Sequence, residues 1–206
     1  MKNVLLGVLL LLSSLGYAQH DEAYVDKLVS EFTASLTGRN INTYLLSKRY
    51  CEGRIEMFKL ENGRMCSSKG TYYAVYLFWN ENDNAMIKKI DNCGLFYSLE
   101  LNDDGVMTFI NQHKNEIKNN PVKPYKMATA ASGPISSTEI HSCKREIAFQ
   151  DELANSFEQS FRLFDLTNDA KEANLNFASN NELKVVELDQ RMGTTIEQME
   201  NKFRRQ

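Results

Sequence analysis

Thr71-Tyr72-Tyr73-Ala74-Val75-Tyr76-Leu77-Phe78-Trp79 is the stretch on which the fold turns. It contains no glycine, proline or charge, and its aromatic and β-branched residues suit a pleated strand. Successive side chains of a strand face opposite sides. Tyr72, Tyr76 and Phe78 therefore point one way, and Tyr73, Val75, Leu77 and Trp79 the other. A strand that is apolar on both faces belongs in the middle of a sheet covered on both sides.

Reading outward, the segments next to this strand alternate as well. Downstream, the turn residues Asn80-Glu81-Asn82-Asp83-Asn84 lead into a returning strand over 85–90, then another over 95–101. Asn102-Asp103-Asp104-Gly105 turns the chain into Val106-Met107-Thr108-Phe109-Ile110, read as a further strand. Upstream, Ile55, Phe58 and Leu60 precede Glu61-Asn62-Gly63, and Met65 follows. Asn-Gly between apolar residues is a hairpin signal, because both residues tolerate positive φ. The result is an antiparallel meander of about five strands. Residues 113–134 are polar and read as a helical turn followed by a surface connection. Alternation resumes over 138–149, where His141, Cys143, Arg145, Ile147 and Phe149 share a face, and a last strand is expected through 157–166.

Helical periodicity flanks this sheet. Tyr24, Leu28, Phe32 and Leu36 recur every fourth residue, with Asp21 as the N-cap and Gly38 as the terminator. A second, shorter helix is expected over 41–50, burying Tyr44, Leu45 and Leu46. Leu188, Met192, Ile196, Met199 and Phe203 form one stripe of a long helix over 183–203. The expectation is an α+β domain over residues 19–206: an antiparallel sheet flanked by N-terminal helices and a long C-terminal helix, stapled by disulfides.

Residues 1–18 read as a signal peptide. Lys2 is the positive n-region, 4–15 the apolar core, and Gly16 and Ala18 the small residues before the cut. The apolar run is too short to span a bilayer, which takes about 20 residues. No later stretch has that length, so no membrane span is expected in the mature chain. Export implies a secreted or periplasmic protein and an oxidising compartment, in which disulfides persist. Cys51, Cys66, Cys93 and Cys143 are an even set separated by 15, 27 and 50 residues, a spacing unlike that of zinc ligands. They permit three pairings. Cys51–Cys66 and Cys93–Cys143 are preferred, the first closing a short loop around the hairpin and the second stapling the two halves of the domain.

Charge narrows the partners. With 27 acidic and 24 basic residues, the chain is no nucleic-acid binder of the basic kind. It carries no nucleophile elbow, phosphate-cradling glycine loop, zinc-protease motif or dinucleotide fingerprint. No cofactor and no metal are expected. The acidic turns 80–84 and 102–105 supply calcium-type oxygens, but without the spacing of a calcium loop, and short polar side chains ordinarily cap turns. One catalytic constellation is conceivable: Cys93 as a thiol nucleophile with His141 or His113 as its base. The aromatic residues Tyr72, Tyr76, Phe78 and Trp79 are candidate binding residues, a stacking platform for a sugar or peptide. Core packing is the stronger reading of the same residues.

Cys51-Glu52-Gly53, then Cys66-Ser67-Ser68-Lys69-Gly70-Thr71-Tyr72, then Ile90-Asp91-Asn92-Cys93-Gly94 resemble small exported proteins of Bacteroidota with no assigned activity. The resemblance implies a Gram-negative periplasmic or secreted setting and carries no catalytic residues. The expected function is an exported, non-enzymatic module that binds a protein, peptide or glycan. The alternatives are an exported hydrolase with a scattered thiol- or carboxylate-based site, and a structural envelope protein.

Overall fold

In chain order, helix α1 (Glu22–Thr37) is followed by strand β1 (Tyr44–Cys51), a hairpin of β2 (Met57–Lys59) and β3 (Met65–Ser67), then β4 (Tyr73–Glu81), β5 (Asn84–Asp91), β6 (Gly94–Leu95) and β7 (Leu99–Glu100). Helix α2 (Gly105–Asn119) leads to β8 (Cys143–Gln150), β9 (Phe157–Arg162), the short α3 (Phe177–Asn181) and α4 (Lys184–Met199). This computed structural model describes residues 20–60, 62–127, 142–152, 156–168 and 173–206. The expected signal peptide and His141 lie outside them.

The main sheet runs β6-β5-β4-β1-β8-β9, with β7 also on β5, and every pairing is antiparallel. β4 sits in its interior, and its two faces divide as the alternation predicts. Ala74, Tyr76 and Phe78 join Leu45, Ile87, Ile147 and Phe149 under α2 and α4. Val75, Leu77 and Trp79 join Ile90 under α1, against Val25 and Leu36. The register explains the sorting. Leu45 stands between Phe78 and Phe149 on one face, and Leu46 between Leu77 and Ala148 on the other. The β4–β5 turn is a two-residue loop in which Asn82 and Asp83 both take positive φ, the geometry that matches strand twist.

The terminal helices follow their stripes. Asp21 caps α1 by accepting the Tyr24 N–H at 3.1 Å, and the Gly38 N–H returns to the Ala34 carbonyl. On α4, Leu188, Met192, Ile196 and Met199 are buried, as is Phe203 beyond its end. Gly193 lies on this helix where it passes the Arg49 guanidinium.

Four expectations are corrected. Residues 41–50 form no helix; Tyr44–Cys51 is β1, at the heart of the sheet. Its polar residues Ser47, Lys48 and Arg49 carry no visible alternation, because Lys48 and Arg49 take partners from distant helices and Ser47 is held by Arg49. Val106–Ile110 is no strand but the start of α2, whose buried residues Val106, Met107, Phe109, Ile110 and Ile117 keep helical spacing. The strand expected over 95–101 is interrupted into β6 and β7, because Phe96 bridges to Arg205 of the C-terminal tail instead. The preferred cysteine pairing is also replaced: the disulfides are Cys51–Cys143 and Cys66–Cys93. β1 pairs with β8, so Cys51 and Cys143 face each other at one end of that ladder. The β2–β3 hairpin instead lies near β4 and the tail, with Phe58 against the Tyr72 and Arg205 side chains, which brings Cys66 to Cys93 in the β5–β6 turn.

Candidate functional site

The thiol constellation is absent: Cys93 is bonded to Cys66, and no described cysteine is free. His113 stands on α2 with its ring 4.5 Å from that of Phe109 and Nδ1 3.5 Å from a Glu116 carboxylate oxygen. The aromatic candidates are placed in the sheet's two cores. Phe78 and Trp79 have no exposure, Tyr76 is buried, and Tyr72 is half-buried with its hydroxyl donating to Asp91. A stacking platform needs an open ring face, which Phe78 and Trp79 lack. In the acidic turn, Asp103 accepts the Gly105 N–H and Asp104 accepts from the Thr108 hydroxyl, so both carboxylates are engaged by the start of α2. Among the described residues no cluster of histidine, cysteine or acidic side chains is arranged to hold a metal ion.

The surface that is open follows from the widths of the parts. Six strands in order span about 24 Å, whereas one helix is about 10 Å wide. Two long helices, α2 and α4, serve one face, but α1 serves the other alone, and it lies over β4, β5 and β6. The β1–β8–β9 half of that face has no helix of its own among the described residues.

Two adjoining hollows of about 400 and 390 Å³ occupy this half, and Leu46, Ala148 and Glu158 line both. Leu46 and Ala148, opposite each other on β1 and β8, form the floor. Asp26, Val29 and Thr33 on α1 form one wall, at the spacing of successive helical turns. Glu158 and Ser160 of the outer strand β9 form the other. From Tyr44 to Lys48 the groove follows four strand steps, about 14 Å.

Lys48 closes one end. Its side chain is only 9% exposed, with Nζ 2.6 Å from Glu22, 2.9 Å from Asp26 and 3.9 Å from Glu146. Burial works against the ammonium, but the hydrogen bonds and charges of Glu22 and Asp26 outweigh it and hold the Lys48 pKa above its ordinary value. Tyr50 donates its hydroxyl to Glu146 and Tyr73 to Glu22. Both phenols are pushed upward, by burial first and then by these carboxylates. One ammonium thus gathers three carboxylates, all far more open to water than itself.

Elsewhere, buried charges join elements. Arg205 of the tail grips Asp91, which is fully buried, through two bonds of 2.7 and 2.6 Å. Asp189 of α4 accepts from Arg49 at 2.7 Å and lies 3.4 Å from Arg145, tying α4 to the sheet. Lys88 is buried beneath α1, over the Phe32 ring, and donates to the Phe96 carbonyl. Asp165 is taken up by Arg162 and the Tyr125 N–H.

No motif marks Asp26, Leu46, Lys48, Glu146, Ala148 or Glu158, because each comes from an ordinary position on a different turn or strand. One local signal exists. On β8, Lys144, Glu146, Ala148 and Gln150 alternate with the larger apolar pair Ile147 and Phe149, so one face of that strand is polar or small. Compared with protein families, curated proteins and solved structures, the chain matches none.

Proposed function

We propose that the protein is an exported, non-enzymatic binding module whose ligand face is the open half of the sheet beside α1. The observation that carries this reading is the groove itself: an apolar floor of Leu46 and Ala148, walled by a helix and an outer strand and covered by no described element. Two lines support the rest. Both disulfides favour an oxidising, secreted or periplasmic setting. All four sulfurs are committed to those bridges, which removes the thiol form of the hydrolase alternative. The interaction reading also accounts for Leu46 and Ala148 being left half-buried in a groove.

Ala148→Trp tests it by filling the groove from its floor. Peptide and glycan libraries are screened against the oxidised chain and against this variant, with the fold of each checked by circular dichroism. Ligands of the unaltered chain should lose binding to the folded variant. Ligands that bind both equally would place the binding face elsewhere and overturn the proposal.

A further inference from the structure

The groove has an occupant of definite charge. We infer that it takes an extended, basic segment of a partner polypeptide, in which apolar residues alternate with lysine or arginine. This rests on the groove being the ligand face. Charge complementarity selects the class. Glu22, Asp26, Glu146 and Glu158 face this half of the sheet, and Lys48, the ammonium that the first three surround, is buried. The next lysine, Lys144, is engaged by Glu52 at 2.6 Å. An anionic ligand would meet an excess of carboxylate, because one ammonium serves Glu22, Asp26 and Glu146 together, and Glu158 stands on the opposite wall. A glycan would look for an exposed aromatic face; of the rings lining the groove, Phe149 and Phe157 are buried and Tyr44 is half-buried.

The shape selects the conformation. Leu46 and Ala148 make a narrow apolar floor, and about 14 Å of length accommodates roughly four residues of extended chain. In such a chain, alternate side chains point at the floor. The long stems of the intervening lysines or arginines lie along the walls, and their charged ends reach Asp26 on α1 and Glu158 on β9.

The test uses three capped octapeptides of alternating Lys/Val, Ser/Val and Glu/Val, titrated into the full oxidised chain and followed by backbone amide shifts. The Lys/Val peptide should perturb Leu46, Ala148 and Glu158 and bind most tightly, losing affinity as salt rises from about 50 to about 300 mM. Glu158→Lys exchanges an attraction for a repulsion at an exposed wall and should weaken it about fivefold or more without changing the melting temperature. Equal or tighter binding of the Ser/Val or Glu/Val peptide in the same groove would overturn the basic occupant while leaving the ligand face standing. Unchanged affinity in Glu158→Lys would do the same. Perturbations confined to residues away from the groove, or none at millimolar peptide, would overturn both.

Discussion

Arg205→Met should be among the most damaging single substitutions outside the apolar cores. Here the guanidinium makes paired bonds of 2.7 and 2.6 Å to Asp91, a residue with no exposure, and lies over the rings of Phe96 and Phe58. The same carboxylate accepts the Cys93 N–H and the Tyr72 hydroxyl. Removing the guanidinium leaves a buried carboxylate with only those neutral donors. Breaking a buried pair from one side costs about 3–5 kcal/mol, and the slight exposure of Arg205 points to the lower end, about 3 kcal/mol. In a domain of this size that lowers the melting temperature by about 6–12 °C. Urea unfolding of the oxidised chain, followed by tryptophan fluorescence, measures it. Arg204→Ala is the control: its guanidinium reaches only carbonyls of its own turn, and it should cost less than about 0.5 kcal/mol. Asp91→Asn completes a double-mutant cycle, which should return a coupling of about 2 kcal/mol or more. If Arg205→Met unfolds within about 1 kcal/mol of the unaltered chain at the same m-value, the reasoning from burial is refuted.

Three other outcomes follow from the same structure. Trp79 is fully buried, so acrylamide should quench the native fluorescence weakly and the urea-unfolded fluorescence strongly; strong native quenching would put the indole at an open surface. Burial, with a smaller contribution from Arg39, pushes the Lys88 ammonium down to about 8 from 10.5, so folding is penalised in full below about pH 8 and the penalty fades as pH rises toward 10.5. The advantage of Lys88→Met over the unaltered chain should therefore shrink by roughly 1–2 kcal/mol between about pH 7 and about pH 10, after allowing for solvent screening, and a pH-independent difference would contradict this placement. Non-reducing peptide mapping should recover Cys51 with Cys143 and Cys66 with Cys93; from separations of 92 and 27, the chain-entropy relation assigns these bridges about 4.6 and about 3.5 kcal/mol, so removing the first should cost more.

What the sequence discloses depends on where each residue's partners are. Residues 71–79 reveal a central strand with the correct division of faces, because apolar alternation on both sides is a local signal and the covering layers only confirm it. The helices at 22–37 and 184–199 are legible from stripes and a cap in the same way. β1 is not, because Lys48 is buried by acids of α1 and Arg49 by Asp189 of α4. Those partners are distant in the chain, so the strand presents polar residues where the alternation of a buried strand should be. Val106–Ile110 misleads for the opposite reason: five mostly apolar residues are too few to separate the two periods, and the polar half of α2 that follows resembles a loop. The Cys51–Cys143 bridge depends on the β1–β8 ladder, and Cys66–Cys93 on where the β2–β3 hairpin lies, neither of which spacing encodes. The groove is the least legible feature, since it is a gap in a layer, and a gap belongs to no residue.

Two reasons other than binding exist for polar side chains on this half of the sheet, and neither accounts for the whole pattern. An outer strand needs charges to discourage unwanted pairing, which explains Glu158 on β9. That need does not extend to β1 and β8, both paired on two sides. Solubility also favours carboxylates at the surface, yet it would equally favour a polar residue at Ala148, beside Leu46, which packs in part against the core under α1. A larger residue at Ala148 would fill the hollow without disturbing the opposite core, because position 148 points away from α2 and α4. Edge protection and solubility thus explain the walls but not the half-buried apolar floor between them, and the proposed ligand face accounts for that combination.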